Sequence, residues 1–391
     1  LSEMLELNKI YNMDCLEGMK LLDDNSVDSI VTDPPYELGF MGKKWDSTGI
    51  AYNVELWKEC LRVLKPGGHL LAFGGTRTYH RMTCAIEDAG FEIRDCIQWL
   101  YGSGFPKSHN ISKAIDKRLG AKRKVVGVKQ HSTNFDNAMK NRTGYLQDDA
   151  NKNNTKCFGY GKEEITIAAT PEAQQWDGWG TGLKPANEPI VVARKPISEK
   201  TIADNVLKWG TGGINIDDCR IELNGDYKCK ANGRPSLTGL CDNYDPSKAN
   251  QPDTQGRFPA NVILDEEAGR MLDEQSGILK SGALKPYQEN HQNASSYKMN
   301  RYKTFVQPAN EGGASRFFYC AKASKKERGE GNNHPTVKPL SLIKYLITLV
   351  TPSGGVCLDP FEGSGTHALA CKELGFNYIG FELDKTYYNI A

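Results

Sequence analysis

Asp33-Pro34-Pro35-Tyr36 is a run of residue types that could hold a flat ligand bearing an amino group. The Asp33 carboxylate can accept a hydrogen bond from a ligand N–H. Neither Pro34 nor Pro35 has a backbone N–H, and their fixed φ keeps the local carbonyls out of a sheet ladder. The residue before each proline is held extended. Tyr36 offers a planar ring. These four residues follow a mainly apolar run at 27–31 that reads as a buried strand, so they stand where a strand ends. The plainer reading is a strand followed by a stiff turn, which the prolines alone would explain.

A second constellation lies far along the chain. Val356-Cys357-Leu358-Asp359-Pro360-Phe361-Glu362-Gly363-Ser364-Gly365-Thr366 reads as strand, glycine loop and helix start. The glycines let backbone approach a ligand, and a helix N-terminus offers free N–H groups. The helix runs over 368–374 and stops at Gly375. A strand at 378–381 follows and ends in Glu382. An acid there, about 20 residues after the loop, is the usual ligand of a nucleoside cofactor's ribose. A lone Gly-x-Gly would carry little; the order of loop, helix, strand and acid carries more.

Together the two constellations resemble the amino-methyltransferases of DNA. The cofactor loop of that family reads Asp-Pro-Phe-x-Gly-x-Gly-Thr, as at Asp359 to Thr366, and its catalytic motif reads Asp-Pro-Pro-Tyr, as at Asp33 to Tyr36. The catalytic motif comes first here and the cofactor loop last, the circularly permuted order of the β class. His334-Pro335-Thr336-Val337-Lys338-Pro339 before an apolar helix also matches that class. The resemblance implies a Rossmann-like α/β fold with a doubly wound, mostly parallel sheet, and S-adenosylmethionine as cofactor. It implies catalytic roles for Asp33, Pro34, Pro35 and Tyr36. It puts Glu382 on the ribose, Asp14 on the adenine, and Asp359, Phe361, Gly363 and Gly365 along the methionine side. Thr336 and Lys338 would lie near the methionine end, and Cys15, Asp33, Pro360, Ser364 and Thr366 complete the implied cofactor set.

The chemistry required is specific. The lone pair of an aromatic amino group is delocalised into its ring. An acceptor pair binding both N–H protons, the Asp33 carboxylate and the Pro34 carbonyl, would localise it toward a methyl donor. Tyr36 would stack on the base, which must leave the duplex to be reached. No metal is required. In the family, Asp at the first motif position goes mostly with adenine N6 and Ser more often with cytosine N4, so Asp33 favours adenine. The stretch Glu37 to Asp46 looks like phage and prophage members. An RNA or protein N-methyltransferase usually has the reverse motif order and lacks a large insertion. A DNA-binding module that has lost catalysis is opposed by the intact Asp33, Tyr36, Gly363, Gly365 and Glu382.

Composition sets the frame. At 391 residues the chain is long enough for two domains, and its net charge of +1 leaves any DNA footprint local. No apolar run approaches the ~20 residues of a membrane span. Leu1-Ser2-Glu3 does not read as a signal peptide, and both ends read as trimmed. Eleven scattered cysteines, none in a C-x-x-C pair, read as reduced residues of a cytoplasmic protein in a bacterial or phage-infected cell. Cys219, Cys229 and Cys241 share a loop region, with spacings that match no common zinc pattern.

Strands and helices alternate through residue 100, which argues a doubly wound sheet. The catalytic part is expected to span 1–196, with a polar insertion at 102–175 inside the hairpin that forms the antiparallel edge of the sheet. Its basic run, including Lys117, Arg118, Lys122, Arg123 and Lys124, is expected to meet phosphate rather than serve only as a solvated face. Lys325 and Lys326 lie in a second basic stretch near the expected DNA cleft. Residues 197–315, rich in Asn, Gly, Ser and Pro with scattered aromatics, are the expected target-recognition domain. Residues 316–391 return to the catalytic fold. The partners implied are double-stranded DNA and, as a candidate, a cognate restriction endonuclease, with the enzyme a monomer or homodimer.

Overall fold

The computed structural model describes residues 5–39, 44–102, 104, 108–129, 163–222, 256–281, 310–321 and 337–391. The chain begins with β1 (Lys9–Tyr11), α1 (Cys15–Met19), β2 (Val27–Thr32), α2 (Val54–Val63), β3 (Leu64–Phe73), α3 (Tyr79–Asp88) and β4 (Glu92–Leu100). Next come α4 (Ile111–Arg118), β5 (Lys124–Lys129), β6 (Glu163–Ile167), α5 (Pro171–Gln175) and β7 (Asn187–Arg194). Then follow α6 (Ile202–Trp209), β8 (Val262–Asp265), α7 (Glu266–Ser276), β9 (Leu279–Ser281), β10 (Asn310–Gly312) and β11 (Tyr319–Ala321). Last are α8 (Leu340–Val350), β12 (Val356–Asp359), α9 (Thr366–Leu374), β13 (Asn377–Phe381) and α10 (Lys385–Ile390). Among the described residues no helix is long and apolar enough to cross a membrane.

Packing divides the chain into two units, Leu1–Ser103 with Ala186–Ala391, and Gly104–Pro185. Among the described residues the first holds a nine-stranded sheet in the order β1-β13-β12-β2-β3-β7-β4-β8-β11. β7 runs antiparallel to β3 and β4, and the other pairs are parallel. The fold is thus α/β and doubly wound with a mostly parallel sheet. Both faces are covered, as buried parallel strands require. Met19, Leu56, Trp57, Ile86 and Phe381 pack one side, around α1 to α3. Phe73, Leu342, Leu346, Ile347 and Cys371 pack the other, around α8 and α9. β2 is buried at all six positions, its polar Asp28, Ser29 and Thr32 included, and each of these finds a partner there: Lys65 Nζ and Val356 N for Asp28, Thr351 for Ser29 and Asp359 for Thr32.

One expectation changes here. The β4–β7 hairpin is not the edge of the sheet, because β8 and β11 add in parallel beyond β4. From the described part of 197–315, α6 packs on the β2–β3 bulge of the same unit. Asn205 of α6 donates Nδ2 to the Pro66 and Thr211 carbonyls at 2.8 Å each, and Thr211 Oγ1 donates to Pro66 O at 2.6 Å. The Pro66 carbonyl is free because the β2–β3 register shifts there: Val27 faces Leu64, but Ser29 faces His69. Gly67 sits in that bulge with φ +81°, and a Cβ on it would press against Asn205. Of the aromatics expected to read bases, Tyr244, Tyr287, Tyr297, Tyr302 and Phe305 lie outside the described residues, as do Cys229 and Cys241.

The second unit pairs β5 with β6 antiparallel beside α4 and α5. Asn110 caps α4 by accepting from Lys113 N at 2.8 Å, and Thr170 caps α5.

A local contact fixes how α1 meets β13. Gly18 lies flat on the Phe381 ring, and a Cβ there would overlap it. Gly18→Ala gains up to about 1 kcal/mol of helix propensity but should lose about 1–3 kcal/mol to overpacking. We expect a lower urea midpoint; an unchanged or higher one would mean that α1 can shift freely.

Candidate active site

The sheet reverses winding direction between β12 and β2, so a crevice opens beyond the carboxyl ends of these neighbours. Both motifs sit there. Thr32, the last residue of β2, donates Oγ1 to Asp359 Oδ1 at 2.6 Å, and Phe361 N donates to the same oxygen at 2.9 Å. Burial, then the nearby Glu362 charge, pushes the Asp359 acid up to about 8. The loop that follows turns through Gly363 and Gly365, at φ +58° and +88°, where a side chain would be strained.

Asp33 anchors a charged network at the end of β2. Its Oδ2 accepts from Lys338 Nζ at 2.6 Å, and Lys338 also lies 3.4 Å from Glu188 Oε2. The Tyr36 hydroxyl donates to that same Glu188 oxygen at 2.7 Å, and Thr78 Oγ1 holds the Tyr36 carbonyl at 2.7 Å. Lys338 is only 9% exposed, and its ammonium stands over the Phe73 and Tyr36 rings at 4.9 and 5.2 Å. Trp99 and Tyr101, with ring centroids 5.2 Å apart, continue the aromatic wall along β4. Burial raises the Asp33 acid above the usual carboxylate range; Lys338 opposes that rise and Glu188 adds to it. Burial disfavours charge on Lys338, yet Asp33 and Glu188 outweigh it and hold the ammonium above its ordinary value. The Asp33 side chain keeps 22% of its surface, but Oδ1 is covered and has no hydrogen-bond partner among the described residues. A buried carboxylate oxygen without a donor is an acceptor left for a ligand N–H.

Glu188 is the residue that sequence reasoning missed. Its signal is an acid just before an apolar strand, Ile190 to Ala193. β7 runs against its neighbours, so its N-terminus, not its C-terminus, reaches the crevice.

On the loop side, Glu382 ends β13 and accepts from Gly363 N at 2.8 Å and Asp384 N at 2.7 Å. Each oxygen keeps a lone pair for a further donor. Burial raises its acid, and the two N–H groups oppose that rise. Asn12 Nδ2 bonds the Glu382 and Leu383 carbonyls at 2.8 and 3.1 Å, tying the end of β1 to this corner. Asp14 caps α1 through Leu16 N at 2.9 Å and Glu17 N at 3.3 Å. The Cys15 thiol faces the core, where burial pushes it up to about 12. Beneath the loop, Glu362 accepts from Ala368 N at 2.8 Å and pairs with His367 Nδ1 at 3.0 Å. Cys357, His367 and Cys371 converge there, all buried, and could in geometry hold a metal. Their Sγ to Nε2 distance of 3.6 Å for Cys371 and His367 is equally that of a thiol hydrogen bond. Pro360, Ser364 and Thr366 lie on the same loop.

The expected DNA contacts divide. Lys117, Arg118, Lys122 and Lys124 are exposed on α4 and at the start of β5. Arg123 is not available as expected. Its guanidinium, 11% exposed, bonds Asp116 at 2.7 Å, Ser112 at 2.9 Å and Thr166 at 2.9 Å. Asp116 also accepts from Ala169 N and Thr170 N. Despite burial, these bonds and the Arg123 charge keep the Asp116 acid below its usual value. Thr336, Lys325 and Lys326 lie outside the described residues. Arg123→Ala should therefore loosen the 104–185 unit. Faster limited proteolysis within it is expected for Arg123→Ala and not for Lys122→Ala; equal resistance would return Arg123 to the surface set.

A model of the N6/N4 DNA methylase family matches residues 27–391. The type II methyltransferase M.HindIII of Haemophilus influenzae is 24% identical over 425 residues, covering 98% of this chain and 93% of that protein. M2.DpnII of Streptococcus pneumoniae is 37% identical over 82 residues, 21% of this chain and 31% of that one. Among solved structures, the PvuII DNA methyltransferase, described as cytosine-N4-specific, aligns with a TM-score of 0.44 at 13% identity, covering 98% of this chain and 84% of that one. The M1.HpyAVI–SAM complex aligns with a TM-score of 0.39 at 16% identity, covering 98% and 97%.

Proposed function

The chain belongs to the N6/N4 DNA methylase family, and from that premise we propose that it moves a methyl group from S-adenosylmethionine to the exocyclic N6 of an adenine flipped out of duplex DNA. The observation that carries this reading is the Asp33 carboxylate. One oxygen is held by Lys338, the other is buried with no partner among the described residues, and Thr32 links the end of the same strand to the Asp359 loop. The cofactor set fits a nucleoside with a cationic methionine arm. Glu382 stands ready for ribose hydroxyls, Asp14 lies beside the same corner for the adenine, and Asp359 with Phe361 to Thr366 borders the methionine side.

S-adenosylmethionine supplies an electrophilic methyl on a sulfonium. The protein's residues do the rest by orientation and charge. Asp33 Oδ1 and the Pro34 carbonyl accept hydrogen bonds from the two amino N–H groups and turn the lone pair out of the ring. Tyr36, fixed through Glu188 and Thr78, stacks on the base. Once the amino group carries the methyl, Asp33 would take the proton that the nitrogen must lose and pass it to water. Phosphate contact falls to Lys117, Arg118, Lys122 and Lys124. The type II relatives make a cognate restriction endonuclease a candidate partner.

Labelled methyl transfer to unmethylated plasmid DNA, followed by digestion and mass spectrometry of the nucleosides, tests the reading. N6-methyladenine supports it, N4-methylcytosine replaces the target base with the other one in the family, and no label in DNA overturns it. Asp33→Ala should slow transfer by about a hundred- to a thousand-fold with cofactor affinity nearly kept; full activity would remove Asp33 from the chemistry. Asp33 must be ionised to accept both proton and hydrogen bond. Activity should therefore be lost as pH falls through its raised pKa, an acid limb above the ordinary carboxylate range.

Neutralising Lys117, Arg118, Lys122 and Lys124 together should weaken DNA binding and flatten the log–log salt slope by roughly 0.9 for each phosphate contact removed. An unaltered slope would mark that face as merely solvated.

A further inference from the structure

We infer that Glu188 is a positioning residue whose charge makes the buried network around Asp33 net negative, and that this excess charge stabilises the positive charge arriving on the target amino group, an inference that rests on the methyl-transfer reading. Asp33 and Lys338 alone form a neutral pair, with Nζ 2.6 Å from Oδ2. A neutral pair gives little field, and an undivided ammonium would draw electron density from the carboxylate that must accept the amino protons. Glu188 Oε2, 3.4 Å from the same Nζ, takes a share of Lys338 and leaves two acids on one base. Methyl transfer moves a positive charge from sulfur to nitrogen until a proton leaves. A fixed net charge of −1 beside that nitrogen stabilises the charge where it develops and needs no reorganisation.

The placement argues for this role over simple packing. Glu188 and Lys338 are 20% and 9% exposed, so water screens the network weakly. Two acids around one partly buried ammonium do not favour stability, since like charges in low dielectric oppose folding. Such an arrangement persists where function needs it. Glu188 also receives the Tyr36 hydroxyl at 2.7 Å and adds to the rise of the Asp33 and Tyr101 acids, so its charge is felt across the whole aromatic pocket.

Glu188→Gln separates charge from shape, because the amide oxygen can still accept from Tyr36 and Lys338. We expect single-turnover methyl transfer to unmethylated plasmid DNA to fall by about a hundred-fold, with S-adenosylmethionine affinity within about threefold of the wild type. The acid limb should move to lower pH, since removing the Glu188 charge lets Asp33 ionise more easily. The double variant Glu188→Gln with Lys338→Met restores net −1 and should recover about tenfold of the lost rate. Glu188→Asp, which keeps the charge, should stay within about tenfold of wild type and guards against a folding artefact in the amide. A Glu188→Gln rate near wild type overturns the inference, and so does a double variant that binds cofactor but is no faster than Glu188→Gln. A wild-type enzyme that labels no DNA sinks the proposed function itself, a result distinct from either.

Discussion

The site depends on β2 and β12 lying side by side. Thr32 and Asp359 are 327 residues apart in sequence, yet a buried hydrogen bond joins them. Parallel strands need crossovers rather than tight turns, so neighbours in such a sheet need not be close in the chain. That freedom lets the Asp-Pro-Pro-Tyr motif precede the glycine loop in sequence while the two meet in space. The pairing is also strict. Leu358 faces Ile30 and Cys357 faces Ser29, and a slip of one residue would turn Asp33 and Asp359 to the wrong faces. Helices on both sides hold the register by burying β2 completely.

Legibility in the sequence followed how local each signal was. The apolar run before Asp33 and the glycine loop before α9 are short-range patterns, and they fell where the residues said. Residues whose meaning depends on a distant partner were not legible. Arg123 belongs to a basic run on paper. In the folded unit it is spoken for by Asp116 and by Thr166, which is 43 residues away. The Pro66-Gly67-Gly68 stretch reads as a break, but Asn205 and Thr211 from far downstream turn it into a bulge within β3. β8 and β11 have only four and three residues, too few for any period to show, so the extra width of the sheet was invisible. Glu188 was hidden for a topological reason. Acids that serve a parallel sheet stand after their strands, and the same rule reads backwards on an antiparallel strand.

Two clusters of similar make-up flank the β2–β12 junction: Asp33, Glu188 and Lys338 on one side, Asp359, Glu362 and His367 on the other. Each sets two acids around one base. They differ in access. The first retains exposed surface and an oxygen without a donor. In the second, Glu362 is sealed, with both its oxygens taken by Ala368 N and His367. Low dielectric strengthens both sets of interactions, but only the first leaves room for a ligand to complete it. The second is complete in itself, so its service is to hold the loop in shape. Gly380 agrees, since a Cβ there would run into the Glu362 carboxylate.

The sealed cluster also bears on what kind of cofactor the loop can take. A glycine loop before a helix commonly suits phosphate, because the first N–H groups of the helix are free. Here the Gly365 cap supplies no side chain to α9, and the Glu362 carboxylate comes up from beneath to take the Ala368 N–H. A negative charge of the protein's own thus occupies the place that favours an anion. A pyrophosphate at this turn would find the Ala368 N–H already taken and the Glu382 carboxylate nearby. A nucleoside with a cationic arm needs no such N–H and meets Glu382 favourably. The distinction between a dinucleotide loop and this one is therefore written in the residue between Phe361 and Gly363, and not in the glycines.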